Sequence, residues 1–555
     1  MRNFNLKQNW AKIALGILCA VLLIAYCWFP LHIWKQAGIS GGQFIFSWPD
    51  ETANYFFAKT FKETGQLYSP EVLNSIVKNV LHPRSFNIVG ENLVPMGFVG
   101  MPLIYGAMGK VFGSGQIVFF TPLLSILGLL CFYGILRRFF DEKFSLLGTF
   151  LLGTLASFWY YSSVSMLSEI PFVALVLAGF YFGLKSFDDN PLKKNLCFAA
   201  LSGLLLSFAL AIRTNEIVWL MWLIIVPLIA YRKKITWRVL LAFVLGGALP
   251  VLIVLVFNKL TYQDFFALGY FKFNGDSTAL PTGIIASGPL KYLKLFFMPF
   301  GFHPRLIWHN FFNYYITLFW PYFALAVLGS SAFVWDYCKK KTEKSESVFV
   351  IAAGLSSITL AVYYGSMQIT DPLVLHENTI GISYVRYWVP LIMLTIPGIV
   401  YFFRRLADSA GNRLFNIFFI SINLALLVGF SFNLAVLTEG DGLSSQKTVI
   451  SEYYDQADKV KALVGENQII VVERADKVFF PQQKVAVFDS DFSVFERLTP
   501  LLNTRKIYYF TMRNDNEINE MNAYRLQPLG MRAEFPVKIG EKFRLFELVW
   551  VPKTQ

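Results

Sequence analysis

Long apolar segments separated by short polar stretches fill the chain as far as residue 437. The first covers residues 13–30, and most of the segments approach the roughly 20 apolar residues that a helix needs to cross a bilayer. The others lie near residues 116–136, 145–161, 170–184, 196–212, 217–231, 238–257, 313–335, 348–364, 388–403 and 414–437. The pattern therefore predicts an all-α polytopic membrane protein with about eleven transmembrane helices.

The overall composition supports this prediction. Hydrophobic residues make up 55% and charged residues 15% of the 555 residues, whereas a soluble globular chain has about 25% charged residues. The first segment follows basic residues, as a signal peptide would, but bulky side chains occupy residues 28–32, where a cleavage site needs small ones. We therefore expect the first segment to be retained as a transmembrane helix.

Lysine and arginine are concentrated in every second loop between the predicted helices. These loops contain Arg137, Arg138, Lys143, Lys185, Lys193, Lys194, Arg232, Lys233, Lys234, Arg238, Lys339, Lys340, Lys341, Lys344, Arg404, Arg405 and Arg413. Basic loops tend to stay in the cytoplasm, which predicts a plasma (inner) membrane protein with a cytoplasmic N-terminus. The loops also account for most of the net charge of +13. Because they form no basic face on a folded domain, we expect no nucleic-acid binding.

The chain becomes more polar after the last apolar segment. Residues 438–555 are predicted to form a small soluble α/β domain, because strand-like and helix-like stretches alternate there. The predicted strands are 468–473, 484–489, 506–511 and 543–551, and the predicted helices are 446–465 and 493–503. In the predicted topology this domain is external and follows a transmembrane domain of residues 1–437.

Three long segments, residues 31–115, 258–312 and 365–387, fall on the external side in this topology. Long ordered loops are often functional. The first contains two adjacent carboxylates, Asp50 and Glu51, at the predicted start of a helix. Acidic residues at a helix N-terminus also serve as caps, so a purely structural role is one interpretation. A partly desolvated carboxylate at the membrane surface has, alternatively, the properties of a general base.

Other polar side chains are expected on the same side of the membrane. Glu169 opens the fourth predicted helix, and the remaining candidates are His82, Arg84, Arg213, Arg386 and Tyr387. Charged residues near the ends of transmembrane helices are candidates for function.

Each basic candidate also has a structural interpretation. Arg213 stands three residues before Glu216, the spacing of a helical ion pair. Arg386 adjoins aromatic residues of the kind that lie at a membrane interface. His82 and Arg84 have the alternative of being ordinary loop residues.

Four stretches occur in an order that resembles a known family. They are Asp50-Glu51, the Pro- and Gly-rich Val94–Tyr105, Phe257–Tyr262 with its continuation to Leu268–Tyr270, and Tyr384–Pro390. Residues 1–437 resemble the membrane glycosyltransferases of the C-type (GT-C) fold, especially the family-39-like protein O-mannosyltransferases and aminoarabinose transferases; oligosaccharyltransferases share the fold. The chain lacks two motifs of some relatives, a Lys-Pro-Pro stretch and a WWD-type stretch. His82-Pro83-Arg84 is the candidate replacement for the first, and without the second we do not expect glycosylation of peptide asparagine.

The resemblance implies a sugar donor carried on a polyprenyl or dolichyl phosphate. In that reaction Asp50 would be the base, Glu51 would position a substrate, and Glu169 would bind sugar hydroxyls or a metal. Arg386, together with Arg84 or Arg213, would hold the phosphate, for which the planar guanidinium is suited. Inversion at the anomeric carbon is expected. The acceptor (protein, lipid or glycan) stays open; no cofactor is certain, although a divalent metal stays an option.

A transporter or flippase for lipid-linked or small solutes is the alternative interpretation. Transporters place polar groups and broken helices near mid-membrane, often in two related halves. The predicted helices here are largely free of polar residues, which instead lie towards the predicted external ends. The sequence therefore favours the glycosyltransferase.

Overall fold

The computed structural model describes residues 6–233, 235–267, 297–368, 378–409 and 413–552. Contacts divide the chain into two compact units. The first unit comprises residues 1–29, 119–254 and 274–445, and the second comprises residues 30–118, 255–273 and 446–555. Parts of the predicted loops 258–312 and 365–387, and the Leu268–Tyr270 stretch, lie outside the described residues. The predicted domain division at residue 437 stays a prediction.

The helices are numbered in chain order. They are α1 (Leu6–Ile39), α2 (Pro49–Thr64), α3 (Gly100–Phe112), α4 (Phe120–Leu136), α5 (Glu142–Thr154), α6 (Ala156–Ser163), α7 (Glu169–Lys185), α8 (Leu192–Ile212), α9 (Ile217–Ala230), α10 (Trp237–Tyr262), α11 (Pro304–Phe311), α12 (Trp320–Cys338), α13 (Lys344–Gly365), α14 (Val389–Ala407), α15 (Arg413–Phe432), α16 (Leu443–Val464), α17 (Asp476–Phe479), α18 (Ser493–Leu498) and α19 (Asp515–Met521).

Seven helical segments within the described residues are long and apolar enough to cross a membrane, and the number is nine if each of two bent pairs is one span. The seven are Trp10–Ile39, Ile117–Leu136, Leu192–Ile212, Trp237–Tyr262, Lys344–Gly365, Val385–Ala407 and Leu414–Leu437. The bent pairs are Glu142–Thr154 with Ala156–Ser163, at 57°, and Pro304–Thr317 with Trp320–Cys338, at 100°. The segments predicted at 170–184 and 217–231 form the shorter α7 and α9. The predicted polytopic helical membrane protein is confirmed.

Helices of the first unit pack closely at glycines. At Gly329 of α12, an added Cβ would lie 1.9 Å from the carbonyl oxygen of Gly398 in α14. At Gly203 of α8, it would lie 2.0 Å from the carbonyl oxygen of Phe243 in α10. Small residues let helix backbones approach in a membrane, where the lipid provides no hydrophobic drive for association.

The second unit contains two sheets. The strands are β1 (Ser69–Pro70), β2 (Phe86–Val89), β3 (Asn92–Pro95), β4 (Ile469–Val472), β5 (Lys484–Val487), β6 (Ile507–Thr511), β7 (Met531–Ile539) and β8 (Phe543–Trp550). A small sheet has the order β1-β3-β2, and the larger has the order β5-β4-β6-β8-β7. In the larger sheet β4 is parallel to β5 and β6, whereas β8 is antiparallel to both its neighbours.

The larger sheet confirms the predicted C-terminal α/β fold. Strands β4, β5, β6 and β8 match the predicted strands, whereas β7 was not predicted. Its hydrophobic core also contains Val77, Val80 and Leu81, which belong to the predicted first external segment. The α/β core is therefore built from two parts of the chain that are far apart in sequence.

Candidate functional site

The first unit contains a group of charged and aromatic side chains at helix ends, which we call the arginine cluster. Its members are Glu169, Arg213, Glu216, Tyr364, Arg386 and Tyr387. Glu169 is the first residue of α7, Arg213 directly follows α8, and Glu216 directly precedes α9. Tyr364 is the last residue but one of α13, and the remaining two lie in the short helical turn before α14.

Arg213 makes most of the contacts in the cluster. Its Nη1 lies 2.6 Å from Oε1 of Glu169, and its Nε donates to Oε1 of Glu216 at 2.7 Å. Nη2 donates to the Tyr364 hydroxyl at 3.0 Å. The Tyr364 hydroxyl in turn donates to Glu216. The ion pair with Glu216 that the spacing predicts is thus present, and Glu169 is a second acidic partner.

Arg386 reaches the same carboxylate from another helix end. Its Nε lies 3.3 Å from Oε1 of Glu169, and its Nη2 donates to the Tyr387 hydroxyl at 3.2 Å. The guanidinium carbons of Arg213 and Arg386 lie 5.1 and 5.2 Å from the centre of the Tyr387 ring. That ring stacks on Tyr364 at 4.8 Å with an interplanar angle of 5°. Two cations therefore share one aromatic ring, an electrostatically favourable arrangement.

The cluster is buried, and it contains charges of both signs. Two guanidiniums face two carboxylates, and the side chains of Glu169, Arg213 and Glu216 are at most 9% exposed. Burial is costly for a charge unless it is paired. Among the residues that the structure describes, Oε2 of Glu169 has no hydrogen-bond partner. Buried polar atoms of this kind are uncommon, so this oxygen is a candidate acceptor for a ligand hydroxyl.

The segment that leads to Arg386 is held by hydrogen bonds to other elements. The Tyr161 hydroxyl in α6 donates to the carbonyl oxygen of Ile380 at 2.8 Å. The Tyr384 hydroxyl donates to the carbonyl oxygen of Tyr364. Such supporting contacts keep a binding side chain in place before its ligand arrives.

In the second unit, the start of α2 contains the predicted acidic pair. Trp48 directly precedes the helix, and Oε2 of Glu51 accepts its backbone N–H at 3.3 Å. Glu51 is fully buried, which together with this contact favours the capping role. Asp50 is half-buried, and its Oδ1 accepts a hydrogen bond from the Ser85 hydroxyl at 2.5 Å. The two adjacent acids therefore have different surroundings.

The predicted phosphate ligand Arg84 is held by Asp476 instead. Its Nη2 lies 2.6 Å from Oδ1 of Asp476, whose side chain has no exposed area. These contacts favour a structural role for Arg84. The ring of the nearby His82 is partly buried, and its Nδ1 lies 3.0 Å from the carbonyl oxygen of Pro83. Burial lowers the pKa of His82, an effect that the hydrogen bond to Pro83 and the charge of Asp476 partly offset.

We expect the thermal unfolding temperature to decrease as the pH falls from 7 to 5. The pKa of His82 is below its usual value of about 6.5, so the unfolded chain binds the proton more readily than the folded chain does. The contribution of neutral His82 to the stability of the folded state is complete above about pH 6.5. It is lost as the pH falls towards the pKa of His82 in the folded protein. Melting curves of the purified protein should show a smaller decrease for His82→Gln. An equal decrease in both proteins would assign the effect to other groups.

No described group of three or more His, Cys, Asp or Glu side chains is arranged to hold a metal ion.

The structure brings together four of the predicted site residues in the first unit: Glu169, Arg213, Arg386 and Tyr387. The spacing in the sequence identifies Glu216 only as a structural partner of Arg213. Tyr364 could not be predicted, because a single tyrosine near the end of an apolar helix carries no pattern.

No protein-family model matches the chain, and no curated protein matches it in sequence. The oligosaccharyltransferase of Archaeoglobus fulgidus in its apo form is similar in structure, with 10% identity, a TM-score of 0.51, and coverage of 91% of this chain and 70% of that one. ArnT from Cupriavidus metallidurans in its apo state gives 12% identity, a TM-score of 0.47 and coverage of 98% of both chains. ArnT bound to undecaprenyl phosphate gives 11% identity, a TM-score of 0.48, and coverage of 96% and 97%.

The structural likeness to the Archaeoglobus protein extends over nearly the whole chain. At this level of identity, such a likeness identifies a fold and not an activity. The chain therefore has the C-type fold of membrane glycosyltransferases, and the fold expected from the resemblance is confirmed.

Proposed function

We propose that this integral membrane protein is a glycosyltransferase that moves a sugar from a polyprenyl-phosphate-type lipid to an acceptor on the non-cytoplasmic face. The observation that carries the proposal is the arginine cluster, in which two buried guanidiniums meet at helix ends. Guanidinium groups bind phosphate oxygens bidentately and keep their charge on burial. Transfer from a lipid phosphate needs such cations, because negative charge develops on the leaving phosphate.

Within the cluster, Arg386 is the better phosphate ligand. Arg213 already donates to Glu169 and Glu216 at 2.6 to 2.7 Å, whereas Arg386 lies 3.3 Å from Glu169. A phosphate arriving at the cluster must compete with these carboxylates, and the Arg386–Glu169 pair is the longest of the ion pairs described within it. Arg213 would then hold Glu169 in place and supply the second positive charge.

Glu169 is proposed to bind a hydroxyl of the donor sugar. Its Oε1 forms ion pairs with Arg213 and Arg386, whereas Oε2 has no hydrogen-bond partner among the described residues. A carboxylate oxygen in this state accepts a hydrogen bond strongly, because burial prevents water from competing. A pentose or a hexose would meet this requirement.

Asp50 is proposed to be the general base. It would take the proton of the acceptor hydroxyl as the acceptor oxygen bonds to the anomeric carbon. The bond from that carbon to the phosphate oxygen breaks, and the lipid phosphate leaves with the electron pair. Attack from the face opposite the phosphate would invert the anomeric configuration.

The proposal is tested with purified protein in nanodiscs and a panel of polyprenyl-phosphate sugars. We expect transfer by the wild type and a kcat/KM about tenfold to a hundredfold lower for Glu169→Gln, because a hydrogen bond to a charged acceptor is replaced by a neutral one. Glu142→Gln is the matched control, since Glu142 begins α5 with an exposed side chain. Movement of the lipid across the membrane without any sugar transfer would contradict the proposal and favour a flippase.

A further inference from the structure

The short helix α17 contacts the segment that leads into α2. The Lys477 ammonium donates to the carbonyl oxygen of Ser47. The Gln43 amide donates to the carbonyl oxygen of Val478 at 3.0 Å. Both contacted residues lie within seven positions before Asp50. Residues near the C-terminus thereby fix the path of the chain as it enters the helix that carries Asp50.

Asp476, the residue before Lys477, contacts a part of the chain that follows α2 in the sequence. The Asp476 carboxylate accepts the backbone N–H of Arg84 at 2.9 Å, its Nε at 2.9 Å and its Nη2 at 2.6 Å. Nη2 also donates to the carbonyl oxygen of Arg474 at 2.8 Å. The Asp476 side chain has no exposed area and that of Arg84 is 32% exposed, so solvent screens this partly buried pair less than it screens a surface pair. Both the backbone and the side chain of Arg84 are thus fixed.

The next residue, Ser85, makes the contact with Asp50. Its φ of 65° lies in the left-handed region, which a non-glycine residue adopts only when its surroundings impose it. Asp476 holds the preceding residue, and the Ser85 carbonyl oxygen accepts the backbone N–H of Met96 at 3.2 Å. In this conformation the Ser85 hydroxyl donates to Oδ1 of Asp50 at 2.5 Å.

We infer that Asp476 is a positioning residue, which through Arg84 imposes the conformation in which Ser85 orients the carboxylate of Asp50. The inference rests on the proposed function of Asp50 as the base. On this inference, the C-terminal α/β part of the chain fixes the orientation of the Asp50 side chain, which lies more than 400 residues earlier in the sequence.

The test compares steady-state sugar transfer by Asp476→Asn, Ser85→Ala and the double variant. Each single variant is expected to lower kcat by about tenfold to a hundredfold, because a misplaced base loses its alignment with the acceptor. The KM for the lipid donor should stay unchanged. The double variant should be no slower than the slower single variant, because both changes remove the same contact.

Two further variants separate loss of the Ser85 hydroxyl from backbone strain and from general effects of a substitution in this part of the chain. Ser85→Gly tolerates the positive φ but lacks the hydroxyl, so it should match Ser85→Ala. Asp455→Asn removes an exposed ion pair with Lys459 in the same part of the chain and should leave kcat unchanged. Should Asp476→Asn fail to fold, Arg84→Lys removes the planar fork while keeping the charge, and the same kinetic result is expected.

Two results would overturn the inference. One is a wild-type kcat per folded molecule for Asp476→Asn with only a lower unfolding temperature, which is the result of a purely structural role. The other is a double variant in which the two losses multiply. If Asp50→Asn itself transfers sugar normally, the proposed base is wrong. A cryo-EM map of Asp476→Asn then decides the positioning alone, since the Ser85 hydroxyl should no longer lie within hydrogen-bond distance of Asp50.

Discussion

Asp50→Asn should lower the rate of sugar transfer by about 10²- to 10⁴-fold, the usual contribution of a general base. The asparagine amide has nearly the shape of the carboxylate. Its oxygen can accept the hydrogen bond that the Ser85 hydroxyl donates to Asp50 at 2.5 Å in the wild type. What the amide cannot do is take the proton of the acceptor. Single-turnover transfer from a radiolabelled lipid donor measures this step directly, and donor binding should be retained.

The same helix offers a matched control. Glu63 lies near the C-terminal end of α2 and is exposed, so Glu63→Gln makes the equivalent change away from the proposed base. It should leave the rate within about twofold of the wild type, as is usual for surface substitutions. Equal rates for Asp50→Asn and Glu63→Gln would remove Asp50 from the mechanism.

Arg213→Met should lower the free energy of unfolding by about 3–5 kcal/mol, because it removes the central cation of a buried ion-pair group. Glu169 and Glu216 would remain buried, with Arg386 as the one cation of the cluster left to face them. Methionine retains much of the apolar side chain, so loss of packing contributes little. Unfolding in mixed micelles by added denaturing detergent, followed by tryptophan fluorescence, gives the free-energy difference.

An exposed arginine is the control for this prediction. Arg138 pairs with Asp188 at 2.5 Å, but the two side chains are 33% and 27% exposed. Exposed ion pairs contribute about 0–1 kcal/mol, so Arg138→Met should have a small effect. If Arg213→Met and Arg138→Met lower the free energy of unfolding equally, the arginine cluster is better hydrated than its burial indicates.

The helical part of the fold could be predicted because apolar length is a direct physical requirement for crossing a bilayer. Each predicted apolar segment contains a helix, including α7 and α9, which are shorter than a typical span. The sharp bends between α5 and α6 and before α12 were not predicted, since hydrophobicity reports length and not direction. Strand β7 was missed because most of its residues are exposed and its apolar positions do not alternate regularly.

The site could be predicted only in part. Glu169, Arg213 and Arg386 were candidates because charges are expensive near a membrane, and the structure brings them together. The capping contact of Glu51 was a stated alternative, and its burial favours it. The partner of Arg84 could not be predicted, because Asp476 lies 392 residues away and no local pattern connects the two.

The shared core of the α/β part has a consequence for the order of assembly during synthesis. Val77, Val80 and Leu81 belong to the same hydrophobic core as residues of strands β4 to β8. The ribosome makes these first residues hundreds of positions before their partners, and during that interval their apolar side chains have no core to enter. Non-local contacts of this kind slow folding and leave surfaces open to aggregation. Completion of the chain is thus the event that buries them, and a ribosome that stalls before β4 would leave a membrane-inserted product with an unprotected hydrophobic patch for quality-control proteases to recognise.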